Sequence, residues 1–262
     1  MFTWLRNRRR KQILAEKFPP HWDAILRKNV AHYTHLSPGD QAKLRDTVRI
    51  LVAEKMWEPA RGFHVTEEMK LTIAAQAALL LIGQQDHDYF ATVASIIVYP
   101  GQFRRPDQED NTYEDDLAEE IADGMATYRG PVVLAWNQVQ PEARDPAMGY
   151  SVVVHEFAHQ LDFRDEYTDG TPPLPSEAER KRWAGVMSAA LKRHRAELSR
   201  GAETFFSEQA GDNETEFFAD VAEAFFCTPA DLREEDSAVY DLMRDFFGVD
   251  PVTWFPERRA NL

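Results

Sequence analysis

Up to Gly83 the hydrophobic positions recur three and four apart, the spacing that gives a helix one apolar face. Trp22, Ile25 and Leu26 mark such a stripe between His21 and Tyr33. A second helix starts at Ser37-Pro38-Gly39-Asp40, where Ser can cap and Pro fits the first turn, and carries Leu44, Val48, Leu51 and Val52 on to Met56. Thr66, with Glu67 and Glu68 behind it, opens a third helix that is rich in Ala and Leu, runs to Ile82 and ends at Gly83. The pattern then changes. Tyr89 to Tyr99, with Val93, Ile96, Ile97 and Val98, reads as a buried strand closed by Pro100-Gly101. Val132 to Trp136 reads as a second strand, connected by Gln138 to Met148 to a helix that begins with three valines.

Past Asp162 a Gly- and Pro-rich loop (residues 169–175) leads to a long charged helix capped by Ser176, with Trp183, Val186, Met187, Ala190 and Leu191 on its inner side. His194, among Lys192, Arg193 and Arg195, is expected on the solvated face. A helix from Glu214 to Cys227 follows, and Thr228-Pro229 begin a last one that reaches Phe247. Helices, then strands, then helices is the order of an α+β fold, mostly helical with a small sheet.

The 262 residues, 44% of them hydrophobic, suffice for one large domain, assigned to residues 20–262 behind a basic N-terminal arm, residues 1–19. That arm holds Arg6, Arg8, Arg9, Arg10 and Lys11 without the apolar core of a secretory signal, and is expected to be solvated. No apolar run is long enough to span a bilayer. One cysteine, Cys227, excludes an internal disulfide and a Cys-based metal cluster, and suits a reducing compartment; the cytoplasm is the expected location. A formal net charge of −14 argues against direct binding of nucleic acid. Nine of the seventeen residues from Asp107 to Asp123 are acidic, which reads as a solvated loop and polar helix, with calcium or a basic partner as the alternative. The spacing there is not that of an EF-hand.

The valine-led helix carries the chemistry: His155-Glu156-Phe157-Ala158-His159. Residues four apart on a helix share a face, so two imidazoles can bind one Zn²⁺ while Glu156 is placed to act as a base. A catalytic zinc normally has a third protein ligand. The metzincin spacing fails, because Asp162 and Asp165 stand where a glycine and a histidine are required. A downstream glutamate remains. Glu216 is the leading choice, because positions 216, 220 and 223 share one helical face beside Phe217, Phe218, Val221, Ala222 and Phe225; Glu214 and Glu203 are the alternatives. The other carboxylates of that face, and Asp162, are candidates for orienting the histidines.

His-Glu-Phe-Ala-His-Gln-Leu-Asp, with Glu216-Phe217-Phe218-Ala219 and Glu223-Ala224-Phe225-Phe226 downstream, resembles the Mlc titration factor A family of bacterial zinc metallopeptidases. The likeness extends to Ile73-Ala74-Ala75-Gln76-Ala77, Tyr99-Pro100 and Val133-Leu134-Ala135-Trp136, and so covers most of residues 20–255. It implies a zincin-like (gluzincin) domain similar to the catalytic domain of anthrax lethal factor, with zinc on His155, His159 and Glu216 and with Glu156 as catalytic base. It further implies aminopeptidase-like activity on peptide substrates and binding of the glucose repressor Mlc, which leaves a zinc-bound regulatory protein that sequesters a repressor as the alternative to an enzyme. An extended peptide could lie along Val132 to Trp136 by strand addition, if that segment is an edge strand. One position departs from the family. Gln209 stands where members usually carry a tyrosine that stabilises the transition state, and an amide can donate a hydrogen bond there but cannot deliver a proton.

Overall fold

The computed structural model describes residues 2–60, 62–84, 87–104, 121–126, 130–165 and 167–255. The acidic tract from 107 to 120 lies outside the described residues. The chain opens with α1 (Phe2–Ala15), α2 (Pro20–Asn29), α3 (Ala31–His35) and α4 (Pro38–Glu54), enters β1 (Met56–Pro59), and returns through α5 (Glu67–Leu79). Short strands follow: β2 (Ser95–Tyr99), β3 (Phe103–Arg104), β4 (Ile121–Ala122), β5 (Gly124–Ala126) and β6 (Val132–Ala135). The remainder is helical: α6 (Trp136–Arg144), α7 (Val152–Asp162), α8 (Glu177–Leu198), α9 (Glu214–Cys227), α10 (Pro229–Glu235) and α11 (Ser237–Phe247). This is a mostly helical α+β fold with a small four-stranded sheet.

The expected caps are in place. Ser37 accepts from Asp40 N, Thr66 from Met69 N and Ser176 from Glu179 N, each satisfying an amide that the first turn leaves open. Elsewhere boundaries move. The strand expected from Tyr89 begins only at Ser95, because Tyr89 and Phe90 take positive φ (61° and 50°) in a turn. Met56, expected at the end of a helix, starts β1, which pairs parallel with β2 from Met56↔Ser95 to Pro59↔Val98. Gln138 lies within a helix instead of a loop. The last helix is two, since Asp236 caps α11 through Ala238 N and Val239 N.

The sheet order is β1-β2-β6-β5; β6 pairs parallel with β2 and antiparallel with β5. Val132 to Ala135 is therefore an inner strand, buried throughout, and the edge beside the helices is β5. Alternation divides the sheet's faces. Ile96, Val98, Val132 and Leu134 join the main core, while Val133, Ile97, Tyr99 and Met125 pack against Phe103 and Ala122 of the β3–β4 pair.

Two further expectations are corrected. The basic segment forms α1, on which Arg6, Arg8, Arg9 and Lys11 are exposed as expected but Arg10 is buried, with Nε 2.9 Å and Nη2 2.7 Å from the Glu54 carboxylate and a hydrogen bond to Asp88 O at 3.0 Å. A guanidinium can be buried this way because its planar fork matches a carboxylate at two points. His194 is likewise buried, at 2% exposure, and its Nε2 lies 2.9 Å from Ser207 O. Its sequence neighbours are charged, but Met187, Ala190, Leu191 and His194 follow helical spacing onto the inner face, which the composition of residues 192–195 conceals.

Candidate metal centre

Helix α7 is held by its first residues. Ser151 is its N-cap: the hydroxyl accepts from Val154 N and donates to Gln76 Oε1 of α5 at 2.9 Å. Two carboxylates take the neighbouring amides, Ser151 N donating to Glu223 Oε2 (2.7 Å) and Val152 N to Glu142 Oε2 (2.8 Å). With its start fixed and both flanks packed on α5, α9, β5 and β6, α7 presents His155 and His159 from one face.

Helix α9 is capped by Asn213, which accepts from Thr215 N and Glu216 N and so places Glu216 in the first turn. There its Oε2 lies 3.1 Å from His155 Nε2 and its Oε1 3.6 Å from His159 Nε2. One ligand atom from each of His155, His159 and Glu216 lies within 4.8 Å of the others. A tetrahedral zinc ion with donors at about 2.0–2.1 Å spaces those donors about 3.3–3.4 Å apart, so the three residues fit a zinc ion in number, chemistry and separation. Of the alternatives, Glu214 has a largely exposed side chain 3.7 Å from Arg195, and Glu203 lies in an exposed loop.

The second nitrogen of His155 is also engaged, with Nδ1 2.6 Å from Glu223 Oε1 and 3.7 Å from Asp220 Oδ1. Burial opposes protonation of His155, but the hydrogen bonds to Glu216 and Glu223, with the charges of Glu223 and Glu156, outweigh it and raise the imidazole pKa well above its ordinary value. Asp162 does not serve His155. It is fully buried, accepts from Gly170 N (3.1 Å) and Thr215 Oγ1 (3.3 Å), and so ties the end of α7 to the start of α9. Burial, opposed by the Gly170 N–H, pushes its carboxyl up to about 6. Gly170 fits there because φ is +71° and a Cβ would run into the Glu214 carbonyl.

Glu156 is 5% exposed and lines a cleft of about 630 Å³ together with His155, Glu216, Glu223, Gln209 and Tyr150. The roof of the cleft comes from a residue that composition does not flag. Gly124, first residue of β5, lies so close to α7 that a Cβ there would stand 2.8 Å from Glu156 Cγ and also meet Glu156 Oε1 and Val152 Cγ2. Glu142 and Asp123 line the same cleft, and sequence reasoning misses both as site residues. The only signal for Glu142 is an acidic position on an otherwise amphipathic helix.

No helix among the described residues is long and apolar enough to cross a membrane. The sequence profile of the family described as glucose-regulated metallo-peptidase M90 matches residues 4–248. An uncharacterized protein of Synechocystis sp. is 30% identical over 251 residues, covering 95% of this chain and 90% of its own. Proteins named Mlc titration factor A from Yersinia pestis and Yersinia pseudotuberculosis are each 27% identical over 261 residues, covering 96% of this chain and 90% of theirs. With a match over nearly its whole length, the chain belongs to the glucose-regulated metallo-peptidase M90 family and is related to Mlc titration factor A.

Proposed function

We propose that the protein is a zinc-dependent peptidase of aminopeptidase-like activity, with His155, His159 and Glu216 as metal ligands and Glu156 as general base. The observation that carries this reading is the convergence of the two α7 histidines with Glu216 of α9 beside a cleft that also holds Glu156. Bound there, zinc supplies the Lewis acid that polarises the scissile carbonyl and lowers the pKa of water. Glu156 takes a proton from the attacking water and returns it to the departing amine. Glu223 accepts from His155 Nδ1–H and so fixes the tautomer that leaves Nε2 free for the metal. The peptide lies against β5, the edge strand next to α7, and not against the inner strand β6. Gln209 and Tyr150 both face the cleft, and Tyr150 carries the phenol that position 209 lacks.

The test is hydrolysis of aminoacyl and peptide chromogenic substrates by protein of measured zinc content. Wild type should turn over and Glu156→Gln, equally loaded with zinc, should not; equal rates across a broad panel defeat the reading. The name borne by the Yersinia relatives favours a second role, binding of a transcriptional repressor resembling Mlc. Capture of such a repressor by Glu156→Gln as well as by wild type supports that role as separate from hydrolysis, and loss of capture in purified components rejects it.

A further inference from the structure

Helix α1 has five cations and no acid, in a chain whose net charge is −14. Its inner side is engaged. Arg10 pairs with Glu54 and donates to Asp88 O, and Arg9 Nη2 donates to Ala53 O at 3.2 Å. From α4, Arg49 donates to the carbonyls of Ile13, Leu14 and Glu16, which the end of α1 leaves open. The helix is thus fixed on α4 at its middle and at its end, so the fold sets which face looks outward.

That face carries two unlike kinds of side chain. Trp4, Arg8 and Lys11 follow one another at helical spacing on the side away from Arg10, with Leu5 and Arg9 next to them. Trp4 is 64% and Leu5 52% exposed. Arg6, Arg8, Arg9 and Lys11 are exposed as well, and none of them forms an ion pair among the described residues. Elsewhere on this acidic chain exposed arginines have carboxylate partners, Arg182 with Asp245, Arg193 with Asp236 and Arg244 with Asp241. The Arg8 guanidinium lies 5.7 Å from the centre of the Trp4 ring, so cation and indole are presented together. A nucleic acid would meet the cations but has no apolar layer to receive Leu5. An acidic phospholipid surface meets both needs: phosphates face the cations, and the boundary of the acyl chains beneath them takes the tryptophan ring and the leucine. The acids of the rest of the protein do not prevent this, because charges farther than about 8 Å from the lipid are largely screened at physiological ionic strength.

We propose that the outward face of α1 is a docking surface for an anionic phospholipid membrane, on which the protein lies with Trp4 and Leu5 in the headgroup layer and Arg8 and Lys11 against the phosphates. The contact is independent of the metal centre, which α7 and α9 build.

The experiment is sedimentation of the full chain with vesicles of phosphatidylcholine alone, and of phosphatidylcholine and phosphatidylglycerol in equal parts. Wild type should bind the mixed vesicles and not the neutral ones, and more weakly as salt is raised. Arg8→Gln combined with Lys11→Gln should lower the affinity about 30-fold, at about fivefold for each cation. Trp4→Ser combined with Leu5→Ser should lower it about tenfold or more. Both pairs leave Arg10 and Arg49 in place, so the variants should keep the wild-type midpoint of urea unfolding, which shows that α1 is still docked. Absence of binding to the mixed vesicles overturns the proposal, as does equal binding to the neutral ones. So does an affinity that survives both pairs of substitutions. Duplex DNA is the competing polyanion: if it strips the protein from the vesicles and the Trp4 and Leu5 substitutions have no effect, the face is a general site for polyanions and the lipid proposal fails.

Discussion

Glu223 Oε1 stands 2.6 Å from Nδ1 of His155, on the opposite side of the ring from Glu216. The same carboxylate accepts from Ser151 N through its other oxygen, so a single buried side chain of α9 fixes both the start of α7 and the orientation of the His155 ring. Glu223→Gln preserves the bond to Ser151 N but loses the charge that favours a ring proton at Nδ1. Zinc affinity is expected to fall about 10- to 100-fold with little change in thermal stability, measured by competition with a chelator of known affinity. An unchanged affinity removes Glu223 from the site's support.

Gly124→Ala tests how tightly β5 is pressed against α7. The added methyl group meets Glu156 and Val152 together, and β5 is held by β6 through Gly124↔Leu134, so the strand cannot simply swing away. The side chain of Glu156 is the easiest of these to displace. Turnover should fall at least tenfold while zinc content stays at the wild-type level, with a stability loss of about 1–3 kcal/mol for overpacking. Normal kinetics would show that the edge strand yields and that its closeness to Glu156 is unimportant.

Much of the site can be read from the sequence because its parts are periodic within single helices. His155 and His159 obey one spacing rule on α7. Glu216, Asp220 and Glu223 obey another on α9, with phenylalanines on the remaining, buried side of the helix. What crosses between elements is not legible. Gly124-Met125-Ala126 lacks the β-branched and aromatic residues that mark a strand, so the pattern points instead to the more strand-like Val132 to Ala135, which lies inside the sheet. Asp162 falls seven residues after His155, which suggests a shared face, yet it closes the helix and turns to Gly170 and Thr215. Four-residue β1, with Pro59 at its end, carries too little pattern to be told from the helix before it.

Arg10 distinguishes a docked helix from a solvated arm. It makes the bidentate pair with Glu54, whose side chain is itself only 13% exposed, and lies 4.4 Å from the centre of the Tyr89 ring. Arg10→Ala leaves Glu54 without its partner in a shielded place and removes the link to Asp88 O. A loss of about 2 kcal/mol in unfolding free energy is expected by urea titration, against little change for Arg6→Ala on the exposed side. Equal effects for the two would mean that α1 contributes no specific contact.

His32 should make the protein sensitive to acid. It is buried, with Nε2 2.9 Å from Phe226 O and its ring edge-on to Trp254 and Phe255. Burial lowers its pKa to about 4, despite the Phe226 carbonyl, which favours the charged form. In the unfolded chain the imidazole protonates near 6.5, so between those values the unfolded state binds more protons and stability is lost as pH falls through the window. A depression of this size corresponds to about 3 kcal/mol. Glu142 and Asp162, raised to about 7 and about 6 by burial, act in the opposite sense and gain stability on acidification, so the wild-type curve alone mixes the two effects. The difference between His32→Gln and wild type isolates the histidine. It should move in favour of the variant by about 3 kcal/mol from pH 7 to pH 4, followed by urea unfolding at each pH. Parallel curves for the two proteins would show that His32 gains its proton without cost in the folded state.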